Sequence, residues 1–375
     1  MKVGFISLGC SKNLIDTEMA IGVFKNHSFE IVNDISKADI VVINTCGFIE
    51  SAKQEAINTI LETRDWKLGT CRGGSLCPPN KKKFLVVMGC LVERYKKELE
   101  KQIPEVDLFI PINEYDKFWD KIEELIEHKG TGTLCSDETQ GSCPLVFNQL
   151  SYFDRVITTG KTTAYLKIAE GCSNRCTYCA IPYIRGPYIS RKMEDILGEA
   201  EKLASSGIKE VIIIAQDTTK YGEDIYGRPM LPELLQRMCR IDGFKWIRFL
   251  YAYPESITDE LIETVRRNEK ICNYFDIPIQ HISNKILKRM NRDVGAGHRA
   301  RPNQYIQDLI AKIRLQIPDV ILRTSLIVGF PGENQKDFQM LYDFVKQTKF
   351  DKLRSIYIFK RRRNTGSKAS KSNPS

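Results

Sequence analysis

Short β-branched runs recur along this chain, separated by stretches with helical spacing, and that alternation leaves few folds open to it. A strand that is followed by a helix and then by another strand returns to its sheet as a parallel crossover, so the expected product is parallel sheet flanked by helices. In the first part the runs are Lys2 to Ser7, Ile40 to Asn44 and Phe84 to Met88; the helical patterns are Asp16 to Lys25, Ser51 to Thr63 and Val92 to Gln102. In the second part, strands are expected near Thr163 to Ile168, Val211 to Ala215, Trp246 to Tyr251, Tyr274 to Ile277, Ile321 to Val328 and Leu353 to Phe359. Strand-helix units repeated in this way predict a complete or partial barrel whose site lies at the carboxyl ends of the strands. From about Leu134 to Lys161 the periodicity weakens and Gly, Ser, Thr and Pro scatter through the chain. The fold class is therefore α/β: an N-terminal parallel-sheet domain over 1–133, a linker over 134–161, a partial (βα) barrel over 162–359 and a basic tail over 360–375.

The cysteines decide which chemistry such a scaffold carries. No apolar run approaches the roughly 20 residues that span a bilayer, and the opening residues hold too short an apolar stretch for an export signal. A cytoplasmic location and no membrane partner follow. In that reducing compartment the 12 cysteines point to metal binding or thiol chemistry rather than to disulfides. The net charge of +9 does not by itself make a nucleic-acid surface. Arg354, Lys360, Arg361, Arg362, Arg363, Lys368 and Lys371 supply much of it, with no acid after Asp351, and such an end reads as a solvated tail.

Cys172, Cys176 and Cys179 form a CxxxCxxC triplet just after the first strand of the second part. Three thiolates this close can wrap one 4Fe-4S cubane, leaving one iron open to chelate the amino and carboxylate groups of S-adenosylmethionine (SAM). An electron from the reduced cluster then cleaves SAM to a 5′-deoxyadenosyl radical. Structural zinc is the alternative, but it takes four ligands at short, paired spacing and the next histidine is His281. Three buried structural cysteines are the bland alternative, but the spacing, the place after a strand and the βα context favour the cluster.

With this loop the second part resembles the radical-SAM superfamily, which carries the motif on a partial barrel. The first part narrows the resemblance. Ser7 to Glu18 around Cys10, Asn44 to Ile49 around Cys46, and Val87 to Leu91 around Cys90 are similar to the three N-terminal cysteine motifs of the radical-SAM methylthiotransferases. Each cysteine follows an expected strand, so all three could meet along one sheet edge; a single cysteine there is more often a small buried hydrophobe. Lys12-Asn13, Ala180 to Pro187 with Ser190-Arg191, Ala215 to Thr219, Leu250 to Pro254 and Asp276 to Ser283 resemble the branch that modifies a small-subunit ribosomal protein. The resemblance covers about residues 1–359.

The resemblance implies a second 4Fe-4S cluster on Cys10, Cys46 and Cys90. It also implies methylthio transfer to the β-carbon of an aspartate in ribosomal protein S-twelve: one SAM methylates a sulfide and another yields the hydrogen-abstracting radical. A reductase or flavodoxin-type donor supplies electrons, and RNA contact is nonspecific. Transfer-RNA methylthiotransferase with the same chemistry is the alternative, and a non-catalytic iron-sulfur or zinc protein is the third reading. Gln216 and Asp217 end the second barrel strand, and Gly329, Gly332 and Glu333, with Pro331 among them, end a later one. These five are the candidate SAM contacts, although a strand-to-helix turn and a capping Asp explain the same residues. No acid, base or nucleophile is singled out. His281 reads as a structural histidine with substrate contact as the other option. Cys71, Cys77, Cys135, Cys143, Cys239 and Cys272 share no pattern and are read as unligated. Three stretches depart from the family: an insertion within 64–83, Asp293 to Pro302, and the basic residues after Phe359 where the family continues into a small β-barrel, the TRAM domain.

Overall fold

The computed structural model describes residues 1–68, 83–129, 150–292 and 301–357, which divide into two compact units. The first comprises Met1–Thr158 with Tyr183–Arg185, the second Thr159–Pro182 and the chain from Gly186 onward. The insertion around Cys71 and Cys77, the stretch holding Cys135 and Cys143, residues 293–300 and the basic tail lie outside the described residues.

The first unit runs β1 (Lys2–Ser7), α1 (Ser11–Asn26), β2 (Glu30–Ile31), β3 (Ile40–Thr45), α2 (Glu50–Leu68), β4 (Phe84–Gly89), α3 (Cys90–Gln102), β5 (Leu108–Ile110) and α4 (Phe118–Lys129). All its pairings are parallel, in the order β2-β1-β3-β4-β5. Every residue of β3 and β4 is buried, as central strands covered on both faces must be. Side chains alternate across the sheet with period two. Ile40 and Val42 join a cluster with Phe24, Phe118 and Trp119 from α1 and α4. Val41 and Ile43 join the opposite cluster with Ala56, Ile60, Leu91 and Leu99 from α2 and α3. Doubly wound sheets of this order bind ligands outside the carboxyl ends of β1 and β3, where the winding reverses.

Residues 150–158, which the sequence assigns to the linker, are counted with this unit. Their anchor is Glu18 on α1, whose carboxylate accepts from Arg155 Nη1 at 2.6 Å and from the Thr158 backbone N–H at 2.7 Å. Gly22 makes room for them: a Cβ there would stand 2.1 Å from the Asp154 carbonyl oxygen.

The second unit runs β6 (Thr163–Lys167), β7 (Ala169–Glu170), α5 (Ile181–Ile184), β8 (Ile189–Ser190), α6 (Met193–Ser205), β9 (Glu210–Ile214), α7 (Glu223–Tyr226), α8 (Leu231–Cys239), β10 (Trp246–Phe249), α9 (Asp259–Arg267), β11 (Tyr274–Asp276), α10 (Asn284–Arg289), α11 (Pro302–Gln316), β12 (Ile321–Val328), α12 (Gln335–Thr348) and β13 (Lys352–Tyr357). Parallel ladders join β6, β9 and β10, and then β11, β12 and β13. The two halves meet where the Ile247 N–H donates to Lys270 O and the Cys272 N–H to Ile247 O. Six parallel strands thus follow one another in chain order, forming a partial barrel. Among the described residues no helix is long and apolar enough to cross a membrane.

Candidate active site

In the first unit the strand ends bring Cys10, Cys46 and Cys90 together around one side chain. Cys10 stands at the amino end of α1, Cys46 directly follows β3, and Cys90 opens α3 directly after β4. Asn13, wholly buried, lies between them. Its Nδ2 donates to the Leu8 and Thr45 carbonyls at 3.1 and 2.9 Å, which fixes the amide so that Oδ1 faces the cysteines. Cys10 Sγ is 3.8 Å and Cys90 Sγ 3.5 Å from that oxygen. Cys46 enters because Gly9 lacks a side chain: at a φ of +97° it turns the chain where a Cβ would be 2.7 Å from Cys46 Cβ. Arg185 Nη2 donates to Asn13 Oδ1 and to Asp16 Oδ2, both at 2.8 Å, and the Arg185–Asp16 pair is 1% exposed on each side. Burial pushes the Cys46 thiol above its ordinary range and the Cys90 thiol up to about 11, with Arg185 pulling the other way on both. Such a pocket disfavours bare thiolates, a preference that the cationic iron-sulfur core of a bound cluster would invert.

In the second unit the CxxxCxxC loop is closed at its neck by a short antiparallel pair, β7 with β8, which the sequence gives no sign of. Gly171 holds a φ of +69° there, and a Cβ would meet the Pro187 carbonyl oxygen at 1.9 Å. Within the loop the Cys172 N–H donates to Gly186 O at 3.1 Å and the Cys179 N–H to Cys176 O at 3.1 Å. Cys172 and Cys176 are buried, Cys179 half-buried. Cys176 Sγ lies 2.7 Å from the Tyr253 hydroxyl, and burial raises the Cys172 thiol. Two non-glycine residues at the strand ends, Tyr251 after β10 and Gln280 after β11, hold left-handed backbone at φ 63° and 68°. Strain of this kind concentrates at functional sites.

The candidate SAM contacts divide into struts and open positions. Asp217 is fully buried and committed: it accepts from Asn174 Nδ2 at 3.1 Å, from Thr219 Oγ1 at 2.6 Å and from the Thr219 N–H at 3.2 Å. It ties the end of β9 to the cysteine loop, and burial raises its carboxyl above the usual range. Glu333 accepts from the Phe330 N–H at 3.0 Å and lies 3.6 Å from His281 Nε2. His281 is itself fully buried, with Nδ1 accepting the Ile282 and Ser283 N–H groups at the start of α10 and burial lowering its pKa against the opposite pull of Glu333. The space beside Gly332 is taken, since a Cβ there would be 1.3 Å from Arg289 Nη1. Gly329, at φ +72°, has open space where its side chain would be, and Gln216 is half-buried beside Asp217.

In the sequence Asn13, Asn174, Arg185 and Tyr253 stand only as members of longer motifs, with no role of their own. Each acts through a partner far away in the chain. Cys239 and Cys272 are half-buried away from either triplet, and a cavity lined by Trp246, Arg248, Tyr274 and Ile321 opens at the amino ends of β10 to β12, opposite the loop.

Each set offers three free thiols, the donor type that a 4Fe-4S cubane takes. Among the described residues no three His, Cys, Asp or Glu side chains close tightly enough to grip a single ion. A cubane is wider and takes one thiolate at each of three corners.

Fold and site together define a radical-SAM protein. The radical SAM superfamily model matches residues 166–345, and that of uncharacterized protein family UPF0004 matches residues 2–111. The chain belongs to the RimO family of radical-SAM methylthiotransferases. It is 59% identical over 365 residues to the ribosomal protein uS12 methylthiotransferase RimO of Alkaliphilus oremlandii, covering 97% of this chain and 76% of that protein. The RimO proteins of Acetivibrio thermocellus and Clostridioides difficile are each 48% identical with the same coverage. Among solved structures, the radical SAM methyltransferase TsrM from Kitasatospora setae, with cobalamin and a 4Fe-4S cluster bound, superposes with a TM-score of 0.64 at 13% identity. It covers 95% of this chain and 72% of its own, a likeness of fold alone. SAM and 4Fe-4S clusters are the cofactors of this family.

Proposed function

We propose that this chain attaches a methylthio group to the β-carbon of an aspartate in ribosomal protein uS12, in the cytoplasm. The observation that carries the reading is the pair of cysteine triplets, one in each unit, both at the carboxyl ends of parallel strands. Cys10, Cys46 and Cys90 would hold one cluster and Cys172, Cys176 and Cys179 the other. When bound, the clusters supply transferable sulfur at the first site and, at the second, the electron that cleaves SAM to a carbon radical. Radical chemistry is what the substrate demands, because the β C–H of an aspartate offers no proton that a side-chain base could take at neutral pH.

The protein's part is placement. Asn13 spaces two of the N-terminal thiols, and Gly9 lets the third approach. Asp217, through Asn174, holds the cysteine loop against β9, leaving Gln216 and the open side of Gly329 for SAM. A flavodoxin-type or other reductase would deliver electrons, and RNA would be met only through salt-sensitive contact with the basic tail.

The test is mass spectrometry of uS12 and of transfer RNA after incubation with anaerobically reconstituted enzyme, SAM and reductant. A methylthio group on a uS12 aspartate is expected. Finding it on transfer-RNA adenosine, and none on uS12, would overturn the substrate while leaving the radical chemistry standing.

A further inference from the structure

Arg292 is the largest fully buried side chain of the described residues, and nothing in the function so far employs it. Its guanidinium lies 3.8 Å from the ring centroid of Tyr253, the residue whose hydroxyl sits 2.7 Å from Cys176 Sγ. Nε and Nη2 have no hydrogen-bond partner among the described residues; the Glu255 carboxylate forms an ion pair with the guanidinium at 4.0 Å, and the Tyr178 side chain hydrogen-bonds to it. Burying a cation whose donors are not all hydrogen-bonded is costly, and a further anion within reach offsets that cost. The backbone leading to it is stitched to the cysteine loop: Thr177 N–H to Met290 O at 3.0 Å, Thr177 Oγ1 to Arg289 O at 3.0 Å, and Asn291 Nδ2 to Arg175 O at 2.9 Å. The backbone next to Arg292 is therefore held against the cysteine loop.

We propose that Arg292 is a positioning residue that sets the reduction potential of the cluster on Cys172, Cys176 and Cys179, its fixed positive charge favouring the reduced form. The inference rests on the cluster assignment above. A cubane bound by three thiolates is anionic and gains one more negative charge on accepting its electron, so a buried cation beside it stabilises the reduced state more than the oxidised one.

The experiment is an anaerobic redox titration, followed by electron paramagnetic resonance, of the full chain carrying Cys10→Ala, Cys46→Ala and Cys90→Ala, without SAM. Arg292→Met should lower the reduced-to-oxidised ratio at a fixed potential at least tenfold, a shift of about 59 mV for one electron. Arg292→Lys, which keeps the charge, should stay within about threefold of the parent. A parent that folds poorly is covered by titrating enzyme with all its cysteines with and without SAM and following the signal that SAM perturbs. An unchanged midpoint in Arg292→Met at normal iron content overturns the proposal and leaves the cluster assignment intact. An unchanged midpoint with weakened SAM binding overturns it in favour of the SAM carboxylate as the partner of Arg292. If the parent takes up no cluster, the assignment itself falls, and the proposal with it.

Discussion

Replacing Asn13 by Ala tests whether one amide organises the N-terminal cysteines. The substitution removes the side-chain donor that the Leu8 and Thr45 carbonyls have among the described residues and takes one acceptor from Arg185, which keeps Asp16. A buried polar group left without its partner costs about 1–3 kcal/mol. With the two carbonyls partly re-solvated through exposed Cys10, the loss should be on the order of 3 kcal/mol. For a unit of this size that lowers the melting temperature by roughly 10 °C, at about 2–4 °C per kcal/mol. The assay is thermal unfolding of the anaerobic apoprotein, with iron and sulfide counted after reconstitution. About half the iron should be lost, all of it from the N-terminal site. Asn13→Asp keeps the shape but points an acceptor at two carbonyls, so it should be no better than Ala. An Asn13→Ala protein that melts within about 2 °C of the parent and binds its full iron would refute the reasoning.

Substituting Cys172, Cys176 and Cys179 by Ala should halve the iron and abolish SAM cleavage, whereas Ala at Cys10, Cys46 and Cys90 should leave 5′-deoxyadenosine production without methylthio product; chromatography of the nucleoside separates the two. Gly22→Ala sets a methyl against the Asp154 carbonyl, destabilises by about 1–3 kcal/mol, and should speed tryptic cleavage after Arg155. In the apoprotein the Cys90 thiol is raised from its ordinary value of 9.0 to about 11. The stability it contributes is therefore complete below about pH 9 and lost as pH climbs toward 11, so urea midpoints should fall over that window and Cys90→Ala should flatten the fall.

The sequence shows most where periodicity is enforced by burial on both faces. The bounds Lys2–Ser7 and Ile321–Val328 match the strands found, and the apolar runs of β3 and β4 extend by one residue each, to Thr45 and Gly89. α1 begins at Ser11 rather than Asp16, because its first turns bury Lys12, Asn13, Asp16, Thr17 and Glu18. Polar residues turned inward erase the amphipathic pattern from which a helix is read. β2, β7 and β8 are two residues long and have no period to detect.

At the site, spacing points to Cys172, Cys176 and Cys179, whereas Cys10, Cys46 and Cys90 lie far apart in the chain and are reached through the family resemblance and their places after strands. The polar framework around each triplet leaves no such trace. Arg185 meets Asp16 across 169 residues, Glu18 meets Arg155 across 137, and Asn174 meets Asp217 across 43. Nothing local distinguishes these residues from solvent-facing polar ones. The two acids at strand ends illustrate the consequence. A carboxylate at the mouth of a barrel reads as a ligand for a cofactor; here Asp217 accepts from Asn174 and Thr219 and Glu333 accepts from the Phe330 N–H, contacts that also tie down the cysteine loop and the turn after β12. What they leave open is backbone: the bare face of Gly329, at a φ that only glycine holds without strain, is the better candidate for close approach by SAM.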